Sequence, residues 1–153
     1  MVFSPADNTN PNSMASRMRH RRMDLFFSLV KYLPEPIRIL DVGGTAAYWK
    51  NYIPSRTIDL QIVLLNLEKV PVHGLINAVS VIGDARDMKQ FADKSFDVCF
   101  SNSTIEHVGS FDEQLKAASE IRRIAQGYFI QTPNFFLSVG TTFSDTWLAV
   151  VTN

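Results

Sequence analysis

Residues 37–45 read Ile37-Arg38-Ile39-Leu40-Asp41-Val42-Gly43-Gly44-Thr45. A short apolar run stops at a carboxylate and a pair of glycines, which is how a buried strand gives way to a tight turn. The rhythm recurs downstream. Ile58–Leu67 is a second apolar run, with Ile62, Val63, Leu64 and Leu65 consecutive. Val79–Ile82 is a third and ends in Gly83-Asp84, Phe96–Ser101 is a fourth, and Tyr128–Thr132 is a fifth, ending at Pro133. Continuous apolar runs, as opposed to alternating ones, indicate strands covered on both faces.

Helical patterns fall between these runs. Arg17–Leu33 carries Leu25, Phe26, Leu29, Val30 and Leu33 at three- and four-residue spacing, and Pro34 and Pro36 end it. Phe111–Gln126 sets Leu115, Ala118, Ile121 and Ile124 on one face, with Gly127 as its C-cap. The segment after Gly43 is a further helix candidate, rich in aromatic residues from Tyr48 to Tyr52. Strands alternating with helices predict βαβ units and a doubly wound, mostly parallel α/β sheet with helices on both faces. Residues 1–16 are polar and aperiodic and read as a flexible tail. Residues 17–134 form the expected domain. Residues 135–153 break the rhythm and read as an atypical C-terminal tail, in which Thr146–Thr152 is the one candidate strand.

Composition narrows the choice of partners. Fifteen basic and fifteen acidic side chains cancel, so charge gives no reason to expect nucleic acid or an anionic membrane. The cluster Arg17, Arg19, Arg21 and Arg22 invites a nucleic-acid reading, but few aromatics interleave with it. It reads better as a solvated helix face, or as a helix start opposed by its own dipole. No apolar stretch reaches the roughly 18 residues of a membrane span, and the first twenty residues lack the apolar core of a secretory signal. A cytoplasmic protein is therefore expected. The single cysteine, Cys99, excludes an internal disulfide and a cysteine-rich zinc site, and its apolar neighbours make it a buried small hydrophobe. His20 and His73 have no partners at metal-ligand spacing, so no metal is expected.

Ligands of an open parallel sheet bind beyond the carboxyl ends of its strands. Each apolar run here is followed there by small or hydrogen-bonding residues: Asp41 to Thr45, Asn66-Leu67-Glu68, Gly83-Asp84-Ala85, Ser101-Asn102-Ser103 and Thr132-Pro133-Asn134. A dinucleotide turn wants glycine at its first, third and sixth positions. Counted from Gly43 these are Gly43, Thr45 and Tyr48, which argues against NAD and FAD. No phosphate-cradling Gly-Lys-Ser/Thr occurs either. Asp41 with its glycines suits a cationic ligand end, or is an ordinary strand-ending turn. Asn66 falls where ribose hydroxyls are normally held, with Glu68 a rival and a solvated strand end the alternative. Asp84 suits a base amino group, with Asp87 a weaker rival and an N-cap or turn role the alternative.

The run Phe96-Asp97-Val98-Cys99-Phe100-Ser101-Asn102-Ser103-Thr104-Ile105-Glu106-His107-Val108, taken with Ile39–Gly44 and Gly83-Asp84-Ala85, resembles class I S-adenosylmethionine (SAM) dependent methyltransferases of the UbiE/type 11 kind. The resemblance covers about Arg38 to Asn134. It implies a Rossmann-like sheet and methyl transfer from SAM to an acceptor, expected to be a small molecule, that the sequence does not name. By resemblance, Asp41, Gly43, Gly44 and Thr45 line the methionine end of SAM. Asn66 and Leu67 hold ribose and adenine, Asp84 and Ala85 meet the adenine edge, and Ser101 and Asn102 close the pocket near the sulfonium. No catalytic side chain is implied, because an in-line methyl displacement needs mainly proximity and orientation. Glu106 and His107 lie just past the fourth run, facing an acceptor or serving as cap and surface residues.

The chain departs from the family pattern in several places. Thr45 and Ala47 stand where the second and third glycines are usual, Asn66 where an acid is usual, and Ala125-Gln126-Gly127 where Pro-Gly-Gly is common. The family fold continues past the fifth strand with a helix and an antiparallel strand pair, whereas about twenty residues follow Asn134. The chain therefore reads as truncated after the fifth strand, with that strand near an exposed sheet edge. The rival to an active enzyme is an inactive methyltransferase-like binding or interaction module.

Overall fold

Helix α1 (Met14–Val30) buries Met23, Phe26, Phe27 and Val30, spaced three, four and seven residues apart and so on one helical face. They lie against a sheet, in a computed structural model that describes residues 14–53, 58–133 and 145–150. The predicted stripe is corrected here. Leu25 and Leu29 are 43% and 36% exposed, because the helix is turned to put Phe26 into the sheet. The basic cluster does not act as one surface: Arg17 and Arg21 are exposed, Arg19 is half-buried, and Arg22 lies on the buried side.

The strands are β1 (Ile37–Val42), β2 (Leu60–Asn66), β3 (Ala78–Ile82), β4 (Phe96–Asn102), β5 (Ala125–Pro133) and β6 (Asp145–Val150). They form one sheet in the order β3-β2-β1-β4-β5-β6. The first five run parallel, and β6 is antiparallel to β5 over Tyr128↔Val150 to Pro133↔Asp145. The expected exposed edge at the fifth strand is thus overturned, because β6 takes up that ladder. The candidate strand Thr146–Thr152 appears as Asp145–Val150, and its last two positions lie outside the described residues. The predicted flexible tail falls mostly outside them as well; α1 begins at Met14, inside its expected end.

Helices cover both faces. Phe26 of α1 meets Trp49 of α2 (Ala46–Tyr52), Phe100 of β4 and Phe129 of β5 edge-on, with ring centroids 5.9, 5.2 and 5.3 Å away. Phe100 and Phe129 stack at 5.7 Å and 7°. Aromatic pairs of this kind add about 0.5–1.5 kcal/mol each beyond their burial. On the opposite face, α3 (Phe111–Ile124) sets Ile121 and Ile124 against Leu40, Val42, Leu65 and Cys99. Cys99 is fully buried, and burial pushes its thiol pKa up.

Helix α3 starts at a capping box, in which the Ser110 hydroxyl accepts from the Glu113 N–H and the Glu113 carboxylate accepts from the Ser110 N–H. Its end differs from the expectation of Gly127. The C-cap is Ala125, which is also the first residue of β5, and Gly127 already pairs with Val98. The Lys94 ammonium donates to the carbonyls of Arg122 and Ala125 at 2.8 Å each, satisfying the helix end without a glycine.

Residues 83–95 contain no helix or strand, yet α3 side chains hold them along their length. The Met88 N–H donates to Glu120 at 2.6 Å. Arg123 donates to the carbonyls of Met88 and Phe91 at 3.0 and 2.9 Å and to Asp93 at 2.8 Å. None of the described helices is long and apolar enough to cross a membrane.

Candidate functional site

The strand order reverses between β1 and β4, and at such a point the two connections leave on opposite faces and open a crevice at the carboxyl rim. A cleft of about 540 Å³ opens there, within the range of small-molecule sites. Val42 and Gly43 at the end of β1, Leu65 to Glu68 at the end of β2, and Gly83 to Arg86 after β3 contribute to its walls. Thr104, His107 and Val108 after β4, together with Val70, complete the lining.

Four contacts fix the turn from β1 into α2. The Gly43 N–H donates to Leu65 O at 2.8 Å, the Ser101 hydroxyl to Val42 O at 3.1 Å, and the Asn66 side-chain amide to Gly44 O at 3.0 Å. The fourth is Asp41, 1% exposed, whose carboxylate lies directly against Gly44. A Cβ on Gly44 would fall 1.6 Å from Asp41 Oδ2, so this glycine is required by close approach. Gly43 is required by conformation, at φ +78°, and by the Thr104 side chain lying over it. Asp41 Oδ2 accepts from the Trp49 indole N–H at 2.6 Å, whereas Oδ1 is buried without a partner among the described residues. Burial pushes the Asp41 pKa up to about 7, against the lowering effect of the Trp49 bond. Thr45 is the N-cap of α2, its hydroxyl accepting from the Tyr48 N–H at 3.3 Å.

At the far end of the cleft, Asp84 is clasped by Arg86, two residues on. Oδ1 accepts from the Arg86 backbone N–H at 2.8 Å and from Nε at 2.9 Å. Oδ2 accepts from Nε at 3.0 Å and from Nη2 at 2.5 Å. These bonds hold the Asp84 pKa below the usual carboxylate range. Arg86 Nη1 also donates to Glu113 in the α3 capping box, tying the β3 loop to the helix start. The Glu113 pKa is lowered too, first by its bonds with Ser110 and then by Arg86.

Of the residues picked out from sequence, Gly43, Asn66, Leu67, Asp84 and Ala85 line the cleft, as do the rival Glu68 and His107. Asp41, Gly44, Thr45, Ser101 and Asn102 are not in its lining. Asp41 and Ser101 hold the turn from behind, and Thr45 caps α2. Thr104 and Arg86 are cleft residues that the sequence reading did not single out. Arg86 carried a signal, a basic residue two positions beyond an Asp in a turn. Thr104 carried none, since its place over Gly43 depends on the left-handed turn at Ser103 (φ 54°). Among the described residues no group of histidine, cysteine or carboxylate side chains could hold a metal ion.

Residues 40–130, well over half of the chain, match a family model described as a methyltransferase domain. Solved structures share the fold. One is a candidate methyltransferase of an antibiotic biosynthesis pathway from Anabaena variabilis, at 21% identity and TM-score 0.59, covering 76% of this chain and 47% of its own. A second is a candidate sarcosine dimethylglycine methyltransferase from Galdieria sulphuraria, at 22% identity and TM-score 0.60, covering 78% and 47%. A third is a SAM dependent methyltransferase from Aquifex aeolicus, at 15% identity and TM-score 0.56, covering 87% and 73%. The chain spans about half the length of the first two. No curated protein matches it by sequence. On the strength of the family match, which takes in the strand ends from β1 to β4 that wall the cleft, the chain belongs to the methyltransferase domain family.

Proposed function

We propose that the rim cleft binds SAM and that the chain takes part in methyl transfer to a small-molecule acceptor. The observation that carries this reading is the chemistry of the cleft wall. Glu68 supplies a carboxylate, the Asn66 amide supplies a side-chain carbonyl, and Arg86, the one Lys or Arg side chain among the described lining residues, is balanced by Asp84 and Glu113. Such a wall suits a ligand with positive charge and hydroxyls and does not suit a pyrophosphate, which needs glycine backbone and free positive charge. SAM fits on both counts, because it carries an ammonium and a sulfonium but no phosphate.

One N–H of the Asn66 amide goes to Gly44, and its carbonyl oxygen and second N–H are the groups offered to ribose hydroxyls, beside Glu68. Leu67, 73% exposed, offers an apolar surface to the base. Gly43 lets backbone approach the ligand, and Asp41 works through the turn and not by contact. When bound, SAM supplies a methyl group activated by positive sulfur. The work of this chain is then to hold and orient reactants and exclude water. His107 and Thr104, on the β4 side of the cleft, are the side chains offered to an acceptor.

The test is calorimetric titration of the purified chain with SAM and S-adenosylhomocysteine, with NAD as control. Micromolar binding, absent for NAD and weakened about tenfold by Glu68→Ala or Asn66→Ala, is expected. A folded chain that binds neither compound would leave the interaction-module reading in its place.

A further inference from the structure

Residues 70–83 contain no Lys, Arg, Asp or Glu. They end in β3, the outer strand of the sheet, and no described strand lies beyond it. Edge strands are usually guarded by charge, proline or a bulge. Ala78–Ile82 has none of these, and its register against β2 is unbroken. The Asn77 carbonyl accepts from the Ile62 N–H at 3.0 Å, and the Gly83 N–H donates to the Asn66 carbonyl at 2.9 Å. Main-chain groups alternate between the two edges of a strand. Asn77, Val79, Val81 and Gly83 therefore face β2, and Ala78, Ser80 and Ile82 direct their N–H and C=O groups outward.

This outward pattern is complementary to itself. About a two-fold axis through Ser80, a second β3 running antiparallel sets Ser80 opposite Ser80 and Ala78 opposite Ile82. Each such pair exchanges both of its N–H···O bonds, and Val79 falls opposite Val81 as the closer, non-hydrogen-bonded pair. The side chains match as well. Val81 packs with the cluster under α3 and Ala78 with the cluster under α1, so Val79 shares the first face and Ile82 the second. Val79 and Ile82 are 54% and 61% exposed. In the pairing Val79 gains Val81, the large Ile82 gains the small Ala78, and no like charges meet.

We propose that β3 is the surface through which two copies of this chain pair, antiparallel and about a two-fold axis, into one continuous sheet. Val79 and Ile82 lie outside the cleft lining, and opposed strands point the two carboxyl rims in opposite directions. The pairing therefore stands apart from what the cleft binds. It engages fewer residues than the roughly 20–30 a side of a standard interface, so the dimer is of the weak class, dissociating at roughly 100 μM.

The experiment is sedimentation velocity on the full chain from about 10 μM to about 1 mM, a range that brackets this affinity. The wild type is compared with Val79→Lys, Val79→Glu and their equal mixture, each shown to be folded by its urea midpoint. The wild type is expected to pass from monomer to dimer. Each variant alone sets like charges diagonally across the seam and should dissociate at least about tenfold more readily. The mixture should recover dimer, because Lys then meets Glu. A wild type that stays monomeric at about 1 mM overturns the proposal and leaves the edge to a strand of another protein. A dimer that both variants leave intact overturns it in favour of an interface elsewhere. Variants that dissociate and are not rescued by mixing overturn the antiparallel register.

Discussion

Asp41 is a carboxylate held where a carboxylate is costly. It is almost fully buried, one oxygen bonded to an indole and the other without a partner among the described residues. Its pKa is raised from an ordinary 3.8 to about 7. Between those values the folded state keeps a proton that the unfolded state has lost, so stability falls as pH rises, by about 1.4 kcal/mol per pH unit, and levels off above pH 7. Asp41→Asn keeps an acceptor for Trp49 without the charge. Urea unfolding from pH 4.5 to 8 should show the wild type losing stability relative to Asp41→Asn across this window, and a constant difference would contradict the burial argument. The residue types at the site were legible in the sequence, because each strand end carries small or polar groups. Their division of labour was not, since whether Asp41, Thr45 or Ser101 faces a ligand or the turn behind it depends on partners such as Trp49, Tyr48 and Val42.

The elements were legible where one physical signal dominated. β1 falls exactly on its apolar run, Ile37–Val42, and β2, β3 and β4 within a residue or two of theirs. α1 misled at the level of its face, because Leu25 and Leu29 offer a second stripe and only the sheet decides which one is buried. The end of α3 misled because Lys94, from a preceding loop, does the work expected of a glycine. Its start is simpler. Ser110→Ala removes the hydroxyl side of the capping box and should cost about 1 kcal/mol, read as a lower urea midpoint at unchanged slope. Glu113 engages Arg86 as well as Ser110. Glu113→Ala should therefore cost more than Ser110→Ala, and equal costs would show that the Arg86 contact contributes nothing to stability.

Across the whole molecule the two sheet edges are unlike. β3 is an outer strand with Val79 and Ile82 more than half exposed, whereas β5, rich in apolar residues, is covered by β6 running antiparallel. The strand itself was legible as the candidate 146–152, whereas its closure onto β5 was not, since that pairing is non-local. Removing residues 134–153 should bare the β5 ladder and promote association, seen as a concentration-dependent rise in light scattering beyond that of the full chain. A truncated chain that scatters no more than the full one would show that the β5 edge needs no cover.

The attachment of residues 83–95 to α3 has a consequence for how the molecule opens. Glu113, Glu120 and Arg123 reach that segment from the first, third and last turns of one helix. The segment cannot swing away alone without breaking bonds along the whole helix. It should behave as a single foldon with α3. Backbone amides of residues 86–91 and of the first α3 turn would then exchange with solvent deuterium at matched free energies. A ligand that steadied Arg86 in the cleft wall would slow exchange in α3, none of whose residues is in the cleft lining.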